Sequence, residues 1–260
     1  MNNIYIIKKT FILFLTLTLC TLIPCYLNLK FTNISVFPLI LISLSIYLLV
    51  FKKISIKEQF SVVKPTIFLN KFIIKSTTFY IIFAMTLFFI PALVLFPRNP
   101  YINLNWITLF INLFYLIIGA FQEEIVFRAY AFHQLKKLSL KKQLIFSSFI
   151  FSILHLISPI LSGYILNLEA IRILLFTFSA GLFIAVIYAK NKNLIQVSLI
   201  HLSINLAQNL ISIFFIDVLS INLFKLIVSL ILLISSFLIF KSITSNTSFN
   251  KNIDNIPEIL

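Results

Sequence analysis

The feature that most limits this chain is a series of long, nearly uninterrupted apolar runs. Eight can be marked: 11–29, 34–51, 77–96, 106–127, 143–161, 171–189, 194–215 and 222–240. A helix of about 20 residues rises about 30 Å, the thickness of a bilayer's hydrocarbon core. The runs are too long for strands and lack the period-two alternation that a half-buried strand requires. Their combined weight shows in the composition, with 60% hydrophobic and 11% charged residues. A soluble domain carries about 45–50% apolar and about 25% charged residues. Too little charge is left to clothe a water-facing shell, so a soluble enzyme and a disordered chain are both excluded. The expected fold class is all-α, a polytopic membrane bundle of about eight transmembrane helices.

The scarce charges set its orientation. The net charge is +14, from 21 basic and 7 acidic residues. With both termini in the cytoplasm (N-in/C-in), sixteen of the 21 basic residues fall on inside segments, and only Lys30, Arg98, Arg172 and Lys225 lie outside or near the outer edge. That asymmetry is the positive-inside bias of membrane proteins. It accounts for the basic balance without a nucleic-acid partner; the expected partner is the lipid bilayer. The run after Lys8 and Lys9 reads as an uncleaved first helix, because no small-residue cleavage site follows it. Cys20 and Cys25 form neither a disulfide framework nor a metal motif. Residues 52–76 are expected to hold an amphipathic helix on the inner leaflet, and 241–260 a polar tail. The chain divides into N-terminal helices and loop (1–104), a core (105–215), and a last helix with its tail (216–260). The Phe-, Ile-, Leu-, Asn- and Lys-rich composition suits an AT-rich genome and a bacterial plasma membrane.

The acids carry the chemistry. Of the seven, Glu58, Glu169, Asp217, Asp254 and Glu258 sit in loops, tails or helix ends, whereas Glu123 and Glu124 lie together inside an apolar run. A carboxylate at membrane depth costs several kcal/mol and marks a functional position by default. Glu124 and Arg128 are four residues apart on one helical face and can pair. Glu123, turned about 100° away, is left free. Gly119 and Ala120, one turn earlier, leave room beside it. His155 lies in the fifth run. His201 lies in the seventh, with Asn205 one turn on and Gln208 and Asn209 continuing the stripe; these last two read as interhelical bonds. His133 reads as a surface residue.

Depth links these groups. At about 1.5 Å per residue, Glu123 and His155 each stand roughly 20 Å from the nearest inner lysine, and His201 and Asn205 roughly 14 and 20 Å. Three helices thus carry their rare polar groups to a similar level, as one convergent site requires. A carboxylate there can act as general base on water, and imidazole and carboxamide groups can support an oxyanion. Alternatively, Glu123, His155 and His201 have the donor types to hold one divalent metal such as zinc. A metal-free glutamate mechanism is equally open.

The residues from Glu123 to Arg128 (Glu-Glu-Ile-Val-Phe-Arg) resemble the EExxxR signature of the CAAX-protease and bacteriocin-processing (CPBP, or Abi) family of intramembrane proteases. Phe151 to His155 resembles its FxxxH element, and His201 to Asn205 its HxxxN element. The resemblance spans about residues 105–210. It implies a helical bundle around a cavity open to the cytoplasm, with endopeptidase activity on a membrane-associated or CAAX-like protein or peptide. It further implies that Glu123 activates water with His155, that His201 and Asn205 stabilise the oxyanion, and that Glu124 and Arg128 support them. Ala129 departs from the glycine that many members carry after the arginine. The rival readings are a proton-coupled transporter and a non-catalytic bacteriocin-immunity protein. Three glycines leave little room for the broken helices of the first.

Overall fold

The computed structural model describes residues 70–95, 106–132, 135, 138–161, 168–214 and 218–245. Six α-helices occur among them. They are α1 (Lys71–Leu95), α2 (Trp106–Glu124), α3 (Leu140–Leu161), α4 (Leu168–Asn191), α5 (Leu194–Phe214) and α6 (Val218–Thr244). A π-helical segment, Ile125–Ala131, continues α2 without a break. No strand occurs among the described residues. The expected spans 11–29 and 34–51, Cys20, Cys25, His133, the loop before residue 70 and the tail beyond 245 lie outside them.

Among the described residues, four helical stretches are long and apolar enough to cross a membrane: Lys71–Leu93, Glu169–Asn191, Leu194–Ile211 and Phe224–Thr244. The helices start or end a few residues from the apolar runs, for local reasons. α1 begins at Lys71, inside the stretch 52–76 expected to hold a separate amphipathic helix, because Asn70 caps it. The Asn70 Oδ1 accepts the Ile73 N–H at 2.8 Å, satisfying one of the free donors of a helix start. α2 ends at Glu124, inside the apolar run, and the helix carries on at a wider pitch through Ile125–Ala131. There the Phe132 N–H reaches back five residues to the Phe127 carbonyl, the hydrogen-bond step of a π-helix.

Apolar bulk faces outward in this bundle. Phe72, Phe79, Ile82, Ile90 and Leu93 of α1, and Leu230, Ile234, Phe237 and Leu238 of α6, are exposed. In water such a surface would drive aggregation; in hydrocarbon it is the solvated face. Association within a bilayer therefore depends on close packing and internal hydrogen bonds. The interior suits both needs. Ala84, Ala92, Ala180, Ala185, Ala189 and Ala207 are buried and let backbones approach, and Ser148, Ser152, Ser179 and Ser203 are buried among them. α4 and α5 form the centre: 56% of each span is buried, against 22% for α1 and 28% for α6. α4 packs on α3 and α6, and α5 on α1 and α2.

Between α4 and α5 the chain turns in two residues. Lys192 adopts a left-handed backbone, φ 50°. The Asn193 side chain then caps α5, its Oδ1 accepting the Gln196 N–H at 2.8 Å. Gln196 is fully buried. Its Nε2 donates to Ser76 Oγ of α1 at 2.8 Å, and its Oε1 accepts from Asn191 Nδ2 at 2.7 Å. This amide ties α1 to the turn that sets the angle between the two central helices.

Candidate active site

The π segment brings Arg128 into the middle of the bundle. Its side chain is the largest of the fully buried side chains. Nε forms an ion pair with Glu124 Oε2 at 3.1 Å. Nη1 donates to Ser147 Oγ on α3 at 3.0 Å, and Nη2 to the Gly181 carbonyl on α4 at 3.1 Å. One guanidinium thus fastens three consecutive elements. The planar fork of arginine, with five donors and a permanent charge, suits this position better than lysine would. Gly181 is needed on steric grounds as well: a Cβ there would stand 3.0 Å from the Phe151 ring. That ring meets Phe127 edge-on at 5.1 Å, His155 at 4.4 Å and His201 at 5.7 Å between centroids, and Arg128 lies 5.3 Å from its centre.

Glu124 has a second partner. Its other oxygen, Oε1, lies 2.8 Å from His201 Nδ1. An ionised carboxylate only accepts, so His201 carries a proton on Nδ1. His155 is held in the same sense, by its own helix: Nδ1 lies 2.8 Å from the Phe151 carbonyl oxygen, which also only accepts. Both rings therefore turn Nε2 the other way, and both Nε2 atoms face Glu123. Each lies 3.7 Å from Glu123 Oε2. That exceeds the reach of a hydrogen bond, about 3.2 Å, and a polar separation of this size suits an intervening water. Glu123 Oε2 is itself buried and has no hydrogen-bond partner among the described residues. The rest of the carboxylate is more open: the Glu123 side chain is 36% exposed, against 5% for His201 and 0% for Glu124. The two adjacent acids thus occupy different environments: Glu124 is closed off between Arg128 and His201, whereas Glu123 is partly exposed, with both imidazole Nε2 atoms 3.7 Å from its Oε2.

A cavity of about 300 Å³ adjoins this cluster. His155, His201, Asn205, Gln208 and Asn209 give it a polar side, and Leu116, Ile173, Phe176 and Ile204 an apolar one. Gln208 and Asn209, expected as interhelical bonds, line this space. Asn209 Nδ2 donates one turn back along its own helix, to the Asn205 carbonyl at 2.9 Å. The donor types for a metal ion stand near one another. Even so, no group of three or more His, Cys, Asp or Glu among the described residues has an arrangement that could hold one.

The geometry brings together Glu123, His155 and His201, with Asn205 on the wall of the adjoining cavity and Glu124 and Arg128 behind His201. Three contributors were not singled out in the sequence. Ser147 and Gly181 complete the arginine's coordination, and Phe151 packs both imidazoles. Only Phe151 left a signal there, as the first residue of FxxxH.

Residues 105–207 match the family model described as type II CAAX prenyl endopeptidase Rce1-like. No curated protein and no solved structure matches the chain. The match encloses every residue of the polar cluster, and the spanning helices make the chain an integral membrane protein. Over residues 105–207 the chain is thus similar to the Rce1-like family, described as type II CAAX prenyl endopeptidases.

Proposed function

We propose that the chain is an active intramembrane endopeptidase, with Glu123 as general base, His155 holding the attacking water, and His201 with Asn205 stabilising the oxyanion. The observation that carries this reading is the unpartnered Glu123 Oε2, 3.7 Å from two imidazole nitrogens whose orientation is already fixed. Water held there gives a proton to Glu123, and its oxygen attacks the peptide carbonyl. Glu123 then returns that proton to the leaving amine.

Charge balance supports the role of His201. Glu123, Glu124 and Arg128 together carry one net negative charge, and a second ring proton, on Nε2 of His201, cancels it. An uncompensated charge at such depth is costly. That Nε2–H is then a donor for a developing oxyanion, and the Asn205 amide is a second. Glu124, paired with Arg128, keeps the His201 ring in place.

In this reading the catalytic core is residues 105–215 of an eight-span, N-in/C-in bundle in a bacterial plasma membrane. The substrate is a membrane-associated protein or peptide. The test is cleavage of a peptide mixture by the full chain in liposomes, followed by mass spectrometry. Glu123→Gln lowers the rate by about 10²–10⁴, the usual contribution of a general base, while the protein keeps its thermal transition. A chelator leaves the wild-type rate unchanged. Full activity in Glu123→Gln overturns the assignment, and loss of activity on chelation that zinc restores overturns the metal-free route.

A further inference from the structure

The cluster around Glu123 is closed toward one end of the bundle and open toward the other. α4 shows the contrast along a single helix: every residue from Phe183 to Ala189 is buried, and none from Ile171 to Leu175 is. α5 repeats it in the reverse direction. Val197, Ser198, Ile200 and His201 are buried, whereas Asn205 and Gln208 are half-buried and Asn209 is exposed. Glu124, Arg128 and Gln196, all on the closed side, have no exposure. The cavity lies wholly on the open side. Its wall takes no residue of α4 beyond Ala180, none of α5 before His201 and none of α3 before Phe151.

Charge is divided along the same axis. α1 and α3 begin with lysine pairs, Lys71 with Lys75 and Lys141 with Lys142, and α4 and α6 end with Lys190 and Lys241. The contacts bring these ends together. The Gln196–Ser76 bond sets the start of α1 beside the α4–α5 turn. Ser152 bonds the Leu174 carbonyl and Ser148 lies against Gly181, so α3 and α4 run antiparallel. The Phe88 ring meets both Phe176 and Phe224, so α4 and α6 start at one level and run the same way. Apart from the central Arg128, only Arg172 and Lys225 among the described cations stand toward the other end. Lysine-rich ends stay in the cytoplasm. The buried plug therefore faces the cytoplasm, and the cavity faces away from it.

From this arrangement we infer that the catalytic cluster is reached from the extracytoplasmic face, and that its substrate is a peptide segment exposed on that face. The inference rests on the protease reading above and fixes its side. It departs from the cytoplasmic opening that the family resemblance implies. α5 runs 13 residues on from His201 to its end at Phe214, about 20 Å of rise, and the cavity follows its first two turns to Asn209. Water and peptide enter by that route. The Asn205 and Gln208 carboxamides each offer a donor and an acceptor to an incoming backbone, and Ile173, Phe176 and Ile204 give its side chains an apolar wall. A step that carries the segment across the membrane must then precede its cleavage.

The test uses the full chain in sealed right-side-out and inverted membrane vesicles. Single cysteines are introduced after Cys20→Ser and Cys25→Ser. Asn209→Cys reports the cavity, and Lys142→Cys the lysine-rich end. A charged thiol reagent crosses hydrocarbon only at high cost, so it should label Asn209→Cys at least about tenfold faster in right-side-out vesicles and Lys142→Cys at least about tenfold faster in inverted ones. A charged peptide added outside the vesicles should be cleaved by wild type in right-side-out vesicles and not in inverted ones, a readout that needs no variant to fold. Labelling of both cysteines from the same face overturns the inference. So does faster labelling of Asn209→Cys in inverted vesicles, its failure to react from either face, or cleavage confined to inverted vesicles. If the labelling comes out as expected but no peptide is cleaved in either kind of vesicle, the outward mouth stands and the protease reading fails.

Discussion

Glu124 should be the most sensitive position of the bundle. Glu124→Gln keeps the shape of the side chain and removes its charge. In the native protein its two oxygens face two donors, Arg128 Nε at 3.1 Å and His201 Nδ1 at 2.8 Å, with no exposure of the side chain. A glutamine presents one acceptor and one donor to those positions, so one native donor loses its acceptor, costing about 1–3 kcal/mol. The larger loss is electrostatic. Arg128 keeps only neutral partners, Ser147 Oγ and the Gly181 carbonyl. Leaving one charge of a buried pair uncompensated typically costs about 3–5 kcal/mol, and that is the expected destabilisation. It would be measured by reversible unfolding in mixed micelles, within a double-mutant cycle. Arg128→Met alone should cost a similar amount by removing the cation beside the buried Glu124 carboxylate. The double variant Glu124→Gln/Arg128→Met should be more stable than either single one, with a coupling of at least about 2 kcal/mol. If Glu124→Gln unfolds within about 1 kcal/mol of wild type, or the two changes add without coupling, the buried ion pair is not what holds α2, α3 and α4 together.

Two further outcomes follow from steric and polar contacts. Gly181→Ala places a methyl 3.0 Å from the Phe151 ring, which in turn packs on His155 and His201. Cleavage should therefore fall by tenfold or more while unfolding shifts by only about 1 kcal/mol, and pairing it with Phe151→Leu should recover part of the rate. Gln196→Leu removes the amide that joins Ser76, Asn191 and α5; it should cost about 1–3 kcal/mol, seen as a lower melting temperature in detergent.

What the sequence disclosed depended on whether a contact lies within one helix or between helices. The Glu124–Arg128 pair was legible because i,i+4 spacing on a helix decides it, and the π segment that follows did not break it. The spans α4, α5 and α6 were legible to within a few residues, since their apolar runs are long. Glu124 bonding His201 was not legible. The two are 77 positions apart, and depth counting matches levels without saying which of two adjacent carboxylates turns toward α5. That single rotation decides which acid is engaged and which remains free. The change to π pitch after Glu124 left no periodic signal in the seven residues Ile125–Ala131. Ser147, Gly181 and Gln196 are ordinary residues in sequence, and only the approach of a second helix gives them work.

The outward-facing apolar surface has a consequence for how such a chain can vary. Hydrocarbon asks of Phe72, Phe79, Ile82 or Leu230 only that they remain apolar, so exchanges among Phe, Ile and Leu at these exposed positions carry little penalty and can accumulate freely. The small set of residues around Arg128 has no such latitude, because each answers to a particular atom on another helix. Two proteins of this design could therefore lose nearly all overall identity while keeping the same few contacts. Kinship among them would be read from the spacing of a few polar residues, and hardly at all from the length of an alignment.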